Sequence, residues 1–210
     1  MTASRPSRQN LLVLCLAFVS GFIIMAIELL GGRILAPFFG SSIYVWGSII
    51  TVFMLSLSIG YLLGGRQSLH DPRLRRYGSF FLAAAVLLLP LILQGDALME
   101  WMFLQVEDPR YGSLLASMLL FFLPTAVLGM IAPYSVRLLV ADHQRSGHIA
   151  GLLYFISTLG SALGTLATSF YLVLWFEVNQ ILITMSLVLA LTGLGAILFE
   201  RGSPEPISGP

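Results

Sequence analysis

The chain has no lysine, a single cysteine and few charges of either sign, and each shortage excludes a class of function. All eleven basic residues are arginines scattered along the sequence, and the net charge is +1. No basic tract is long enough to track a phosphate backbone, so nucleic-acid binding has no support. Cys15 lies inside an apolar run, which leaves neither a disulfide framework nor a cysteine-based metal site. Charged residues make up only 10% of the chain and hydrophobic ones 57%, with a mean hydropathy of +0.90. A water-soluble domain of 210 residues is not so apolar. Lipid is therefore the solvent for most of this sequence. Also missing are G-x-S-x-G, a P-loop, G-x-G-x-x-G after a strand and H-E-x-x-H, so no enzymatic activity and no cofactor are expected.

What is present is a series of long hydrophobic runs. Six candidate spans fall at about residues 11–36, 43–65, 77–94, 113–140, 148–174 and 178–199. They are apolar on all sides rather than alternating, which predicts helices and not a barrel. The first run follows Arg5 and Arg8 and continues past Gly21 to Leu30, long enough to span. The positions before Cys15 lack the small residues of a processing site, so the run reads as an uncleaved helix. The expected organisation is a cytoplasmic segment at 1–10, a six-helix membrane domain at 11–200 and a disordered cytoplasmic tail at 201–210, rich in Pro, Gly and Ser.

Arginine placement predicts the orientation. With the N-terminus inside, Arg5, Arg8, Arg66, Arg73, Arg75, Arg76, Arg145 and Arg201 are cytoplasmic, and Arg137 can snorkel to the same interface. The outer loops then hold chiefly Asp96, Glu100, Glu107, Asp108 and Glu177, with Arg33 and Arg110 as exceptions. Both termini are expected in the cytoplasm of a cell bounded by a plasma membrane of the bacterial inner-membrane kind. Among the connections one is a turn, and two further segments are irregular. Pro37 to Gly40 reads as a turn; Pro124 and Pro133, with Gly129 between them, should kink or break the fourth span; Ala97 to Val106 reads as a short helix in the outer interface.

Glu28 is the leading candidate for chemistry, because a carboxylate inside an apolar helix normally faces a cavity, a partner or a bound cation. It lies about 25 Å along the helix from Leu11, in the outer part of the membrane. A hydrogen bond to another helix and a substrate or ion role are both open. Arg33, five residues on, points about 140° away, so an ion pair between the two would need unwinding at Gly31–Gly32. Tyr44 and Trp46 lie close by in sequence, although an aromatic belt accounts for them, Trp101 and Trp175 without a ligand. Gly60-x-x-x-Gly64 and Gly160-x-x-x-Gly164, the latter flanked by Ser157, Ser161, Thr165 and Thr168, read as close helix contacts rather than a polar path. His143 and His148, beside Asp142, are five residues apart across a Gly-containing loop and do not form a helical ligand pair; His70 stands alone. No metal is expected.

Residues 21–72, GFIIMAIELLGGRILAPFFGSSIYVWGSIITVFMLSLSIGYLLGGRQSLHDP, resemble the membrane domain of the spermidine synthase-like proteins, also called fused MFS/spermidine synthases. The series is Glu28, Arg33, Pro37, Gly40, Ser41, Trp46 and Gly60-Tyr61-x-x-Gly64-Gly65-Arg66, then Leu123-Pro124-Thr125 with Gly129 and Pro133, then Gly147 through Gly164. Together these cover most of residues 20–175. The resemblance implies a bundle like half of a major facilitator, in which Gly65, Arg66 and Asp71 take the place of the loop that clamps the inner gate, without the acid that loop carries before the arginine. It implies a transport-like or channel-like module for a cationic small molecule such as a polyamine, with Glu28, Arg33, Tyr44 and Trp46 as substrate residues. With about ten residues after the sixth span, an aminopropyltransferase-like domain is not expected in this chain, and a separate cytosolic protein of that kind is one implied partner. A homodimer mate or a larger membrane complex is another, and a non-catalytic subunit that anchors a partner protein is the second reading.

Overall fold

The computed structural model describes residues 8–69, 71–106, 108–140 and 146–202, with Arg201 and Gly202 described by their backbone alone. Helices account for nearly all of them: α1 (Arg8–Phe39), α2 (Ile43–Ser68), α3 (Leu74–Leu87), α4 (Leu89–Gln105), α5 (Pro109–Gly129), α6 (Ile131–Leu139), α7 (Ser146–Ala167), a π-helical segment (Thr168–Leu172), α8 (Val173–Trp175) and α9 (Val178–Gly202). No strand occurs among the described residues. Paired end to end, α3 with α4, α5 with α6, and α7 with the π segment and α8, they make six spans long and apolar enough to cross a membrane. His70, Glu107, residues 141–145 and the tail from 203 lie outside the described residues, and so do Asp142 and His143 of the metal reading.

Proline decides where the spans break. Pro133 has no N–H to give the Gly129 carbonyl, and the fourth span opens there, with the Met130 N–H turning back to Val127 at 3.1 Å. Pro90 does the same to the third span, which breaks at Leu88. Pro124 lies within α5 and Pro37 within α1 without ending either helix. The predicted turn at Pro37 is thus displaced: α1 runs through Phe39 and stops at Gly40, whose φ of 77° is a left-handed cap that suits glycine, with its N–H on the Ala36 carbonyl. A second correction concerns Ala97 to Val106. Gly95 and Asp96 stay helical, so this stretch is the end of α4 and not a separate interfacial helix, and the third span reaches Gln105 rather than residue 94. α5 then starts on a built N-cap, with the Asp108 side chain accepting from the Arg110 N–H at 2.9 Å and Pro109 in the first turn.

Three helix pairs carry the bundle: α1 with α7, α2 with α5, and α3 with α9. Each is closed by glycine against backbone. A methyl group on Gly160 or Gly164 would strike the carbonyl of Phe18 or Phe22, and one on Gly21 would strike the carbonyl of Ser157, so α1 and α7 run parallel in near-contact. Ser161 adds a hydrogen bond from its hydroxyl to the Gly21 carbonyl at 3.2 Å. Gly60 and Gly64 meet Ala126 and Met130 in the same parallel manner, and Gly129 meets Leu57. Gly78 and Gly193 face each other across the antiparallel α3/α9 pair, where the Ser186 hydroxyl donates to the Ala85 carbonyl at 3.1 Å. Lipid tails are as apolar as leucine, so close van der Waals contact of this kind is what associates helices in a membrane.

At the end of the bundle that holds the start of α1, a buried polar knot joins α3 to α6. The Tyr77 hydroxyl lies 2.7 Å from Ser135 Oγ, which donates to the Ile131 carbonyl at 2.7 Å. Tyr134 stacks on Tyr77 at 6.0 Å, takes a ring edge from Phe80 at 5.2 Å, and accepts the Arg73 N–H at 3.0 Å.

Gly164→Leu is expected to cost about 1–3 kcal/mol through overpacking against Phe22, read as a lower Tm and a lower folded yield of the solubilised protein. An unchanged melting curve would show that α1 and α7 do not meet there. Tyr77→Phe should cost about 0.5–1.5 kcal/mol, and Ser135→Ala in that background should add less than it does alone, because the two share a bond. Full additivity in thermal unfolding would dissolve the knot.

Candidate functional site

The residues singled out in the sequence fall into separate places. Glu28 is half-buried on α1, and no hydrogen bond or ion pair to it occurs among the described residues. Its register decides what lies around it. Ala17, Gly21, Ile24 and Glu28, spaced by four, three and four residues, share one stripe of the helix. The first three line a small cleft of about 80 Å³ between α1, α2, α6 and α7, walled also by Tyr61, Tyr154 and Ser157. One turn beyond Glu28, Gly32 lies under the ring of Trp46, where a methyl group would come within 2.7 Å of the indole. Along this stripe Glu28 thus follows one turn after a cleft that carries two tyrosines and three serines and precedes by one turn the glycine that meets the indole. Of the predicted substrate residues, Glu28 and Trp46 are brought to the same face.

Arg33 and Tyr44 are not. α1 is unbroken at Gly31–Gly32, since Gly31 packs on Phe121 and Gly32 on Trp46, so the helix keeps Arg33 on another side from Glu28. Its Nη1 donates to the Val173 carbonyl at 3.2 Å, at the end of the π segment. Tyr44 is exposed, with the Arg110 guanidinium over its ring at 5.1 Å. Gly60, Gly64, Gly160 and Gly164 all lie buried in the two parallel helix pairs.

Of the predicted gate loop, Gly65, with open space around it, and an exposed Arg66 belong to the last turn of α2, and only Asp71 lies in the connection to α3. Asp71 has a φ of 49° and pairs with Arg73 at 2.5 Å rather than with Arg66. That hydrogen bond pushes the Arg73 pKa above its ordinary value. Both side chains are about two-thirds exposed, so the pair adds little stability. The loop is held instead by the buried hydroxyl of Tyr134 and by the bond from the Arg75 N–H to Glu200.

A second polar region opens at the opposite end of the bundle. Arg33, Gln94, Asp96, Glu177 and Asn179 line a cleft of about 440 Å³ between α1, α4 and α9. The sequence placed Asp96 and Glu177 in outer loops and Arg33 with Glu28, and did not group the three. The signal available was that Arg33 is an arginine on the acidic side. Compared with protein-family models, curated proteins and solved structures, the chain matches none.

Proposed function

We propose that the chain is a membrane module that recognises a cationic small molecule of the polyamine class at Glu28, in a transport-like or channel-like role. The observation that carries this reading is a half-buried carboxylate in an apolar helix without a partner among the described residues. A carboxylate in that setting is costly unless a cation or water meets it. Trp46 on one side supplies an indole face to an ammonium, and the tyrosines of the cleft supply hydroxyl acceptors. A linear amine with several ammonium groups fits a carboxylate followed by neutral aromatic acceptors. The resemblance of residues 21–72 to the spermidine synthase-like membrane domain points to the same class, with a separate aminopropyltransferase-like protein as its partner in the cytosol.

The half-major-facilitator arrangement is supported by which spans pair. Exchanging the first three spans for the last three turns the first–fifth contact into the second–fourth contact and leaves third–sixth unchanged, as an inverted repeat requires. A second copy would then complete a two-fold assembly across the Glu28 face. The reading of the chain as a membrane subunit that anchors another protein draws on the fifth span, which the rest of the chain covers least of the six. Orientation follows the arginines: Arg8, Arg66, Arg73, Arg75, Arg76 and Arg137 lie at the end holding the start of α1, which the positive-inside rule assigns to the cytoplasm.

In proteoliposomes, the parent chain is expected to bind or take up radiolabelled spermidine. Glu28→Gln should lower this at least about tenfold with little change in Tm, since the amide keeps hydrogen bonds but not charge. Glu28→Leu should also destabilise. A parent without spermidine binding, together with equal destabilisation by both variants, would make Glu28 a structural residue and favour the subunit reading. For topology, single cysteines at Ser41 and Gln67, both exposed, are placed in a Cys15→Ser background. An impermeant thiol reagent applied to intact cells should modify the first only, and labelling of the second would invert the orientation.

A further inference from the structure

Beside the Glu28 face lies a larger cavity that the proposed function does not use. A groove of about 460 Å³ runs between α1, the π segment and α9, lined by Phe18, Phe22, Leu172, Ile181, Met185 and Val188 and almost wholly apolar. Its volume is that of an ordinary small-molecule site. From Gln180 to Val188 it follows α9 for about 12 Å along the membrane-spanning direction. Its end at Phe176 and Gln180 is shared with a mouth of about 550 Å³ that also carries Arg33 and Glu177.

The charges of this mouth are arranged unusually. Arg33 and Glu177 line one cavity, yet no ion pair joins them within 4 Å. Arg33 uses one N–H on the Val173 carbonyl and keeps the other guanidinium donors. Gln180 accepts the Glu177 N–H through Oε1, which leaves its amide N–H₂ to donate. Asp96 joins Arg33 and Glu177 in the adjoining cleft, so one cation stands with two acids. A purely anionic ligand would be attracted once and repelled twice. A ligand with an anion for Arg33 and a primary ammonium for Glu177 or Asp96 matches both signs.

We propose that a phospholipid with a phosphoethanolamine headgroup occupies this site. Its phosphate rests on Arg33 and the Gln180 amide, its ammonium donates to Glu177 or Asp96, and one acyl chain fills the groove between α1 and α9. The single apolar slot leading from a mixed-charge mouth, at the end of the bundle where the π segment widens the fifth span, is what a lipid of one leaflet requires. The site is independent of Glu28, because α1 turns the two positions to different sides.

The test is native mass spectrometry of the full chain released from nanodiscs that hold equal amounts of phosphatidylethanolamine, phosphatidylglycerol and phosphatidylcholine of one acyl composition. The parent should retain phosphatidylethanolamine preferentially. Arg33→Gln and Glu177→Gln should each reduce that retention about tenfold, the loss of one charge-assisted hydrogen bond. Thr184→Trp, which fills the groove without altering charge, should remove the lipid while the melting temperature stays near that of the parent. Both Glu177 and Thr184 are exposed, so these two variants keep the bundle intact. Equal retention of the three lipids overturns the proposal, as does preference for phosphatidylglycerol. So does a groove that Thr184→Trp shows to be covered by a second copy, with loss of a dimer and no change in bound lipid.

Discussion

Backbone-to-backbone contact at glycine is the constraint on which the bundle depends. Helices in lipid gain nothing by hiding leucine from leucine-like solvent, so they must gain by coming close. Gly160 and Gly164 against Phe18 and Phe22, Gly60 and Gly64 against Ala126 and Met130, and Gly78 against Gly193 bring the paired helices to that distance. Side chains elsewhere then fill the space the three pairs leave, as Phe53 and Phe121 do at 5.6 Å. The parallel sense of two pairs follows from the same contacts. It also dictates an odd number of spans between partners, one for α2 with α5 and three for α1 with α7, which is why short loops suffice despite non-adjacent pairing.

That packing leaves few places for charge, and the described charged residues use nearly all of them at the two ends. Asp71 with Arg73, Glu200 with the Arg75 N–H, Arg110 over Tyr44 and Arg33 on Val173 lie at the ends of spans, within reach of the interface. Glu28 is the departure, half-buried within α1 on the stripe that runs from the cleft of Tyr61 and Tyr154 to the glycine under Trp46. Helix periodicity separates it from Arg33, and with that separation one predicted site becomes two. One is a half-buried carboxylate within an apolar helix. The other is a mixed-charge mouth above an apolar groove.

Proline and glycine act here through their neighbours. Pro133 and Pro90 each free a carbonyl one turn back and each opens its span, whereas Pro37 and Pro124 are absorbed into α1 and α5. The buried Tyr77–Ser135 bond stiffens the region after the break at Met130, tying α6 to α3. The π segment near Thr168 loosens the fifth span at the level where Arg33 reaches the Val173 carbonyl. Rigid pairing in one part and widened helix in another leave the groove between α1 and α9 open.

The sequence by itself determined the solvent, the number of spans, the helical class, the opening of the fourth span at Pro133 and the small-residue faces of α2 and α7. Those follow from composition, run length and local backbone chemistry, which act over a few residues. Only the tertiary structure decided which helix each glycine face meets, because a stripe of small residues permits close approach without naming the partner. It also decided that Pro37 and Gly95 stay helical, since neighbouring packing outweighs a local tendency to turn. The grouping of Arg33, Asp96 and Glu177 was hidden for the same reason: they are brought together by the ends of three helices far apart in the chain. Glu28 was legible as a site because its cost in lipid is a property of one residue, whereas its lack of a partner is a property of the whole fold.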